Sequence, residues 1–156
     1  MKISQKGIEL LKHYEGCRLT AYQDSVGIWT IGYGNTYYED SKRVQSGQKI
    51  TQQRAEQLLL IILQKYELAV KNALKVEVKQ HQFDALVCLC YNIGIGNFVQ
   101  SSLLGKINAK DDKASERFLL WNKAKVKGVL TVLKGLTYRR QSEKYLYDND
   151  VVKFFN

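Results

Sequence analysis

The sequence predicts an α+β fold that is mostly α: a small N-terminal β-sheet lobe joined by a long helix to a C-terminal helical lobe. Three observations predict it. Residues 17–38 are rich in glycine, β-branched and aromatic residues around the turn signal "DSVG". Residues 51–75 carry one continuous helical stripe: Ala55, Leu58, Leu59, Ile62, Tyr66, Val70, Ala73 and Leu74. From residue 81 onward apolar positions again recur at helical spacing, punctuated by glycine because the chain contains no proline. The 156 residues suffice for one domain with its own core. Its expected parts are a lobe of about 13–50, a connecting helix of about 51–75, and a helical lobe of about 79–156 packed with helix 4–14.

Taken in order, residues 4–14 form a short helix with Ser4 as N-cap and Ile8, Leu11 and Tyr14 as its buried stripe. Gly16 is placed to stop it in the left-handed region, which leaves Glu15 at the C-terminal end. A hairpin follows, 17–23 with 28–35, and a further short strand is expected near 42–46. If position 24 opposes position 28, Thr30 shares a face with Asp24. Thr51 caps the long helix, about 36 Å over 51–75. Phe83, Leu86, Val87, Cys90 and Tyr91 make the next stripe, broken by "NIGIGNF" at 92–98. Gly94 and Gly96 read as turn residues. Residues 101–107, 112–124, 126–134 and 137–147 are the remaining expected helices.

Composition narrows the functional classes. The longest apolar run, "LLLIIL" at 58–63, is far short of the roughly 18 residues of a membrane span. The polar, periodic N-terminus lacks the apolar centre of a secretory signal, so synthesis in the cytoplasm is expected. Three cysteines, Cys17, Cys88 and Cys90, make an incomplete disulfide framework. With two histidines and a C-x-C spacing, no metal site and no cofactor are expected. The net charge of +9 is uneven: +2 over residues 1–50, +1 over 51–105 and +6 over 106–156. Such a surface attracts polyanions: nucleic acid, anionic membrane or an acidic wall polymer. No nucleic-acid partner is expected, because the lysines are spread over several elements instead of clustering beside groove-reading side chains.

The chemistry lies in "HYEGCRLTAYQDSVGIWTIGYGNT", residues 13–36. Glu15 and Asp24 are paired carboxylates in unlike settings, with the hydroxyl of Thr30 six positions further on. Cleaving a glycosidic bond needs a proton on the leaving oxygen and an ionised carboxylate to serve the oxocarbenium-like centre or its water. A helix C-terminus disfavours negative charge, which suits Glu15 to the proton-donor role. Asp24, opening a polar turn, is the better base, and Thr30 is placed to orient water. Taken singly each residue has an ordinary structural explanation, a turn aspartate or a helix-end glutamate.

In combination these residues resemble the catalytic segment of phage-type lysozymes, the endolysins of glycoside hydrolase family 24. That pattern runs Glu, eight residues, Asp or Cys, five residues, Thr, then T-x-G-x-G. Here it reads Glu15, Asp24, Thr30, Gly32 and Gly34 without a gap. "QFDALVCLCYNIGIGNF" at 82–98, "SSLL" at 101–104, "WNKA" at 121–124 and "GLTYRRQSEKYLY" at 135–147 continue the match in order. The resemblance implies a lysozyme-like fold. It also implies hydrolysis of the β-1,4 bond between N-acetylmuramic acid and N-acetylglucosamine in peptidoglycan, with Glu15 as general acid and Asp24 and Thr30 placing water. That arrangement suits an inverting enzyme. It further implies that Gly34, Thr36, Tyr91 and Asn92 line the path of the glycan strand, although Tyr91 also extends an apolar stripe. An arginine of "YRR", Arg140 in preference to Arg139, is implied to pair with the catalytic glutamate.

Two positions depart from the pattern: Asn35 stands where many relatives have histidine, and Ser102 where threonine is common. Release to the wall is implied to depend on a membrane-pore partner, the holin, and the protein is expected to be a monomer. An alternative function is a membrane-disrupting one. "KAKVKGVLTVLKGL" at 123–136, read as a helix, places Val126, Leu130 and Leu133 together with lysines to either side, a basic amphipathic stretch suited to anionic membranes.

Overall fold

A computed structural model describes all 156 residues. The order is α1 (Gln5–Glu15), β1 (Arg18–Gln23), β2 (Trp29–Gly32), α2 (Gln52–Ala73), α3 (Gln80–Ile93), α4 (Ile95–Val99), α5 (Ser102–Asn108), a 3-10 helix (Ala114–Leu120), β3 (Lys123–Val126), β4 (Val129–Val132) and α6 (Lys134–Asn149). The chain divides into two compact units, Lys12–Lys65 and Met1–Leu11 with Tyr66–Asn156.

In the Lys12–Lys65 unit, Gly16 takes φ +65° and its N–H bonds the Lys12 carbonyl at 2.9 Å, ending α1 with Glu15 as its last residue. β1 and β2 are antiparallel, with Tyr22 opposite Thr30 and Gln23 opposite Trp29. Asp24 therefore opposes Ile28, and the two exchange bonds across the turn. The register shifts between Arg18 and Tyr22, a bulge where residues 48–50 come alongside β1: Ala21 N–H donates to Gln48 O and Ile50 N–H to Leu19 O. The short strand expected near 42–46 is absent. Arg43 makes only a single bridge to Tyr37, because Ser41 at φ +68° turns the chain sharply. The Thr51 hydroxyl accepts the Arg54 N–H at 3.0 Å and caps α2. Over its 22 residues α2 spans about 33 Å. Ile31, Val44, Ala55, Leu58, Leu59 and Leu63 are buried here.

In the other unit α6 packs on α3, and α5 and the 3-10 helix complete the layer. Phe83, Leu86, Leu89, Phe98, Leu103, Phe118 and Leu146 are buried. Ser4 precedes α1 as expected, yet its hydroxyl goes elsewhere. Its N–H donates to Asp84 Oδ1 at 2.8 Å and its Oγ to Oδ2 of the same residue, which ties the chain start to α3. Gln80 Nε2 also donates to Asp84 Oδ1, at 2.8 Å. Ser101 caps α5 by accepting the Leu104 N–H at 3.1 Å. Gly94, at φ +90°, makes the turn between α3 and α4. The three cysteines are free thiols, Cys88 and Cys90 buried and Cys17 exposed.

Two expected helices are replaced. Residues 112–124 yield only the short 3-10 helix Ala114–Leu120. Residues 126–134 form no helix. β3 and β4 pair as a hairpin, Lys123 opposite Val132 through Val126 opposite Val129. Lys127 and Gly128 both take positive φ, +51° and +80°, the two-residue turn whose twist matches a hairpin. Val126, Val129, Thr131 and Val132 are β-branched, and Gly128 would weaken a helix at its centre.

Candidate active site

Glu15, Asp24, Thr30, Gly34 and Thr36 all belong to the Lys12–Lys65 unit. Glu15 is half-buried at the end of α1. Its carboxylate lies directly against Gly34: a Cβ built on that glycine would stand 2.6 Å from Glu15 Oε2 and 3.6 Å from Cδ. Gly34 has φ +78°, a region side chains other than glycine's seldom adopt. Any larger residue there would strain the backbone and push the Glu15 carboxylate from its place. The loop that carries it is closed by a reciprocal pair of bonds, Ile31 N–H to Asn35 O at 2.8 Å and Asn35 N–H to Ile31 O at 2.9 Å. Gly32, at φ +64°, supplies the other left-handed residue of that closure.

Asp24 is half-buried and opens the hairpin turn. Its Oδ1 accepts the N–H groups of Val26 and Ile28, each at 2.9 Å. That fixes the carboxylate plane while one oxygen, Oδ2, is left out of the turn. Thr30 is buried at 4% exposure, and its hydroxyl donates to Ile28 O at 3.0 Å, so its oxygen lone pairs remain available as acceptors. The strand register sets Thr30 on the face of the hairpin that Asp24 shares. Thr36 is half-buried, and its carbonyl accepts the Val44 N–H at 3.0 Å.

A bracing network surrounds the Glu15–Gly34 approach, and sequence reading did not find it. Lys12, one turn before Glu15 on α1, pairs with Glu56 Oε2. Tyr33, next to Gly34, donates its hydroxyl to Glu56 Oε1 at 3.0 Å. Gln52 Nε2 donates to the Tyr33 hydroxyl and to Glu56 Oε1, both at 2.9 Å. Glu56 thus links the segment carrying Glu15 to the loop carrying Gly34. Its bond to Lys12 holds its carboxyl below the usual glutamate range, and burial pushes the Tyr33 phenol up to about 12. Lys12 and Glu56 stand 44 positions apart, and neither lies in a recognisable motif.

The remaining expected residues lie in the other unit. Tyr91 is half-buried, its ring 5.1 Å from that of Tyr66, and Asn92 is exposed in the last turn of α3. Arg140 is fully buried. Its Nε is 2.7 Å from Glu143 Oε1, its Nη2 donates to Glu143 Oε2 at 3.0 Å, and its Nη1 to Trp121 O at 3.3 Å. Arg139 also reaches Glu143 Oε2, at 3.4 Å. Burial raises the Glu143 carboxyl despite the two guanidinium groups, and lowers Arg140. Both directions follow from desolvating a charged cluster.

One unit thus holds a helix-end carboxylate seated on a glycine, an aspartate at a hairpin turn and a buried threonine on the following strand. Comparison with known proteins gives the class. The family profile described as Phage lysozyme matches residues 12–143. The chain is 43% identical over 150 residues to an endolysin of Acyrthosiphon pisum secondary endosymbiont phage 1, covering 96% of this chain and 99% of that one. It is 43% identical to an endolysin of Bacillus phage B103 over 94% of its length, but spans only 54% of that protein. Among solved structures, the endolysin from Escherichia coli O157:H7 phage FAHEc1 superposes with a TM-score of 0.93 at 42% identity, covering 98% of this chain and 97% of that one. The muramidase domain of SpmX from Asticaccaulis excentricus gives a TM-score of 0.84 at 39% identity, covering 94% and 97%. The chain belongs to the phage lysozyme family and is a glycoside hydrolase of the muramidase class.

Proposed function

We propose that the protein is an endolysin that cleaves the β-1,4 bond between N-acetylmuramic acid and N-acetylglucosamine in peptidoglycan, with inversion. Glu15 donates the proton to the departing glycosidic oxygen. Asp24 holds the attacking water through its outward oxygen, and the Thr30 hydroxyl oxygen accepts from the same water. The opposed jobs of the two carboxylates require an acid and an ionised base on a shared groove. The observation that carries this reading is the contact between the Glu15 carboxylate and Gly34, which fixes the acid beside the loop expected to bear the glycan. Gly34 and Thr36, with Tyr91 and Asn92, are the proposed glycan contacts. Arg140 is proposed, from the family resemblance alone, as the cation that pairs with Glu15. The proposed setting is synthesis in the host cytoplasm, action as a monomer, and release to the wall through a holin pore.

The test is digestion of purified peptidoglycan with mass spectrometry of the new reducing ends. Muramic acid ends are expected. Glucosamine ends would indicate a glucosaminidase, and free amines an amidase or peptidase. Glu15→Gln should lower the rate by at least about 10²-fold with unchanged circular dichroism, and a variant as active as the parent overturns the assignment. Proton NMR of the first-formed anomer tests inversion.

A further inference from the structure

We propose that the β3–β4 hairpin is a docking element for the surface of an anionic phospholipid bilayer. The proposal is independent of the catalytic assignment, and it rests on a surface that no step of the hydrolysis uses.

The hairpin joins a held base to an exposed body. At the base, Leu133 N–H donates to Asn122 O at 2.9 Å and Asn122 Nδ2 to the Thr137 hydroxyl at 3.2 Å, while the Trp121 carbonyl takes a bond from buried Arg140. Beyond the base, four residues per strand give a ribbon about 13 Å long. Its register puts Lys123, Lys125, Leu130 and Val132 on one face. Leu130 is 63% exposed and Val132 54%. Towards the tip of the other face Val129 is 64% exposed and Val126 43%. Four large aliphatic side chains stand open within seven residues, a concentration that isolated surface hydrophobics do not show.

Charge identifies the occupant. Between Leu119 and Lys134 there are four lysines and no acidic residue. A second copy of the chain would bring the same lysines against these and repel them. A nucleic acid would satisfy the lysines and leave the aliphatic groups in water. An uncharged apolar partner would do the reverse. The boundary between headgroups and acyl chains of an anionic bilayer takes both: aliphatic groups enter it, and lysine stems lie along it with their ammonium groups at the phosphates. Lys127 keeps a charge at the tip in a backbone conformation, φ +51°, that favours asparagine or glycine.

The experiment is co-sedimentation of the full chain with phosphatidylglycerol-containing vesicles and with pure phosphatidylcholine vesicles at about 0.15 M salt. Binding to the anionic vesicles alone is expected. Lys123→Gln with Lys125→Gln should weaken it about 25-fold, near fivefold per lysine. Leu130→Ser with Val132→Ser should weaken it about tenfold or more at unchanged charge. Lys42→Gln with Lys113→Gln, matched in charge but elsewhere, should have a much smaller effect. Hydrolysis of purified peptidoglycan should be unchanged in all three. A Val129→Trp variant gives a readout within an otherwise intact hairpin: its emission should shift to the blue on anionic vesicles and be quenched by brominated lipid. Absence of binding, full binding by the serine pair, equal loss in the charge-matched control, or an unshifted Val129→Trp emission would each overturn the proposal. So would concentration-dependent dimerisation abolished by the same hairpin substitutions, which would assign the face to a second copy.

Discussion

At Gly34 two constraints coincide: a left-handed backbone and a carboxylate oxygen where a side chain would begin. Gly34→Ala should destabilise the fold by about 1–2 kcal/mol through its φ alone. The displaced Glu15 carboxylate should lower activity a further 10–100-fold, roughly the effect of an ångström-scale misplacement. A thermal melt and a turbidity assay on cell walls separate the two. Glu56 acts one step further out, as a positioning residue. Its folded carboxyl titrates below its ordinary value near 4.5, chiefly through Lys12, so its stabilising contribution is present above that value and is lost as pH falls through the lowered one. Glu56→Gln should therefore cost about 0.5–1 kcal/mol at pH 7, as a partly exposed pair does. The gap from the parent protein should close as the solution is acidified below 4.5, which denaturant melts across pH would show. The motif residues Glu15, Asp24, Thr30 and Gly34 were legible because they fall within 20 consecutive positions. The Lys12–Glu56–Tyr33 brace was not, since its members come from three separate elements and only folding brings them together.

Among the elements, the long helix α2 could be read to within two residues at either end, because eight apolar positions at one spacing leave little room for another period. The β3–β4 hairpin was misread for the opposite reason. Val126, Leu130 and Leu133 happen to stand four and three apart, and Lys-Gly is a weaker hairpin signal than Asn-Gly or Asp-Gly, so the β-branched residues Val126, Val129, Thr131 and Val132 were the main sign of strand. Asp84 shows how a short helix such as α1 is secured from outside itself. It is fully buried and accepts from Ser4 N–H, Ser4 Oγ and Gln80 Nε2. Asp84→Ala would remove three bonds from partly buried donors to a carboxylate and should cost about 1–3 kcal/mol. Amide hydrogen exchange should localise the loosening to residues 1–11 and the start of α3. A loss confined elsewhere would contradict the assigned tie.

Over the whole molecule, the absence of proline shapes how the chain is punctuated and how it folds. Seven glycines and four other residues take positive φ, at turns, loops and helix ends. No X-Pro bond exists to isomerise, and that isomerisation is the common source of refolding phases lasting tens of seconds. Refolding of these 156 residues from denaturant should thus lack such a phase and be indifferent to added prolyl isomerase, as stopped-flow fluorescence of Trp29 and Trp121 can record. The overall class was legible in the sequence, the long helix and the helical layer from apolar periodicity and the small sheet from turn and β-branched residues. The division of the chain was less so, because its boundaries at residues 11/12 and 65/66 fall inside α1 and α2, where no glycine or loop marks them.

The closed loop from Ile31 to Asn35 has a bearing on how this chain can be edited. Five residues joined by two reciprocal bonds admit no change of length: one added or deleted codon there unpairs both bonds and swings position 34 away from the helix end. The exposed tip around Gly47, where a Cβ meets nothing, is the natural place to splice in a tag or a label instead.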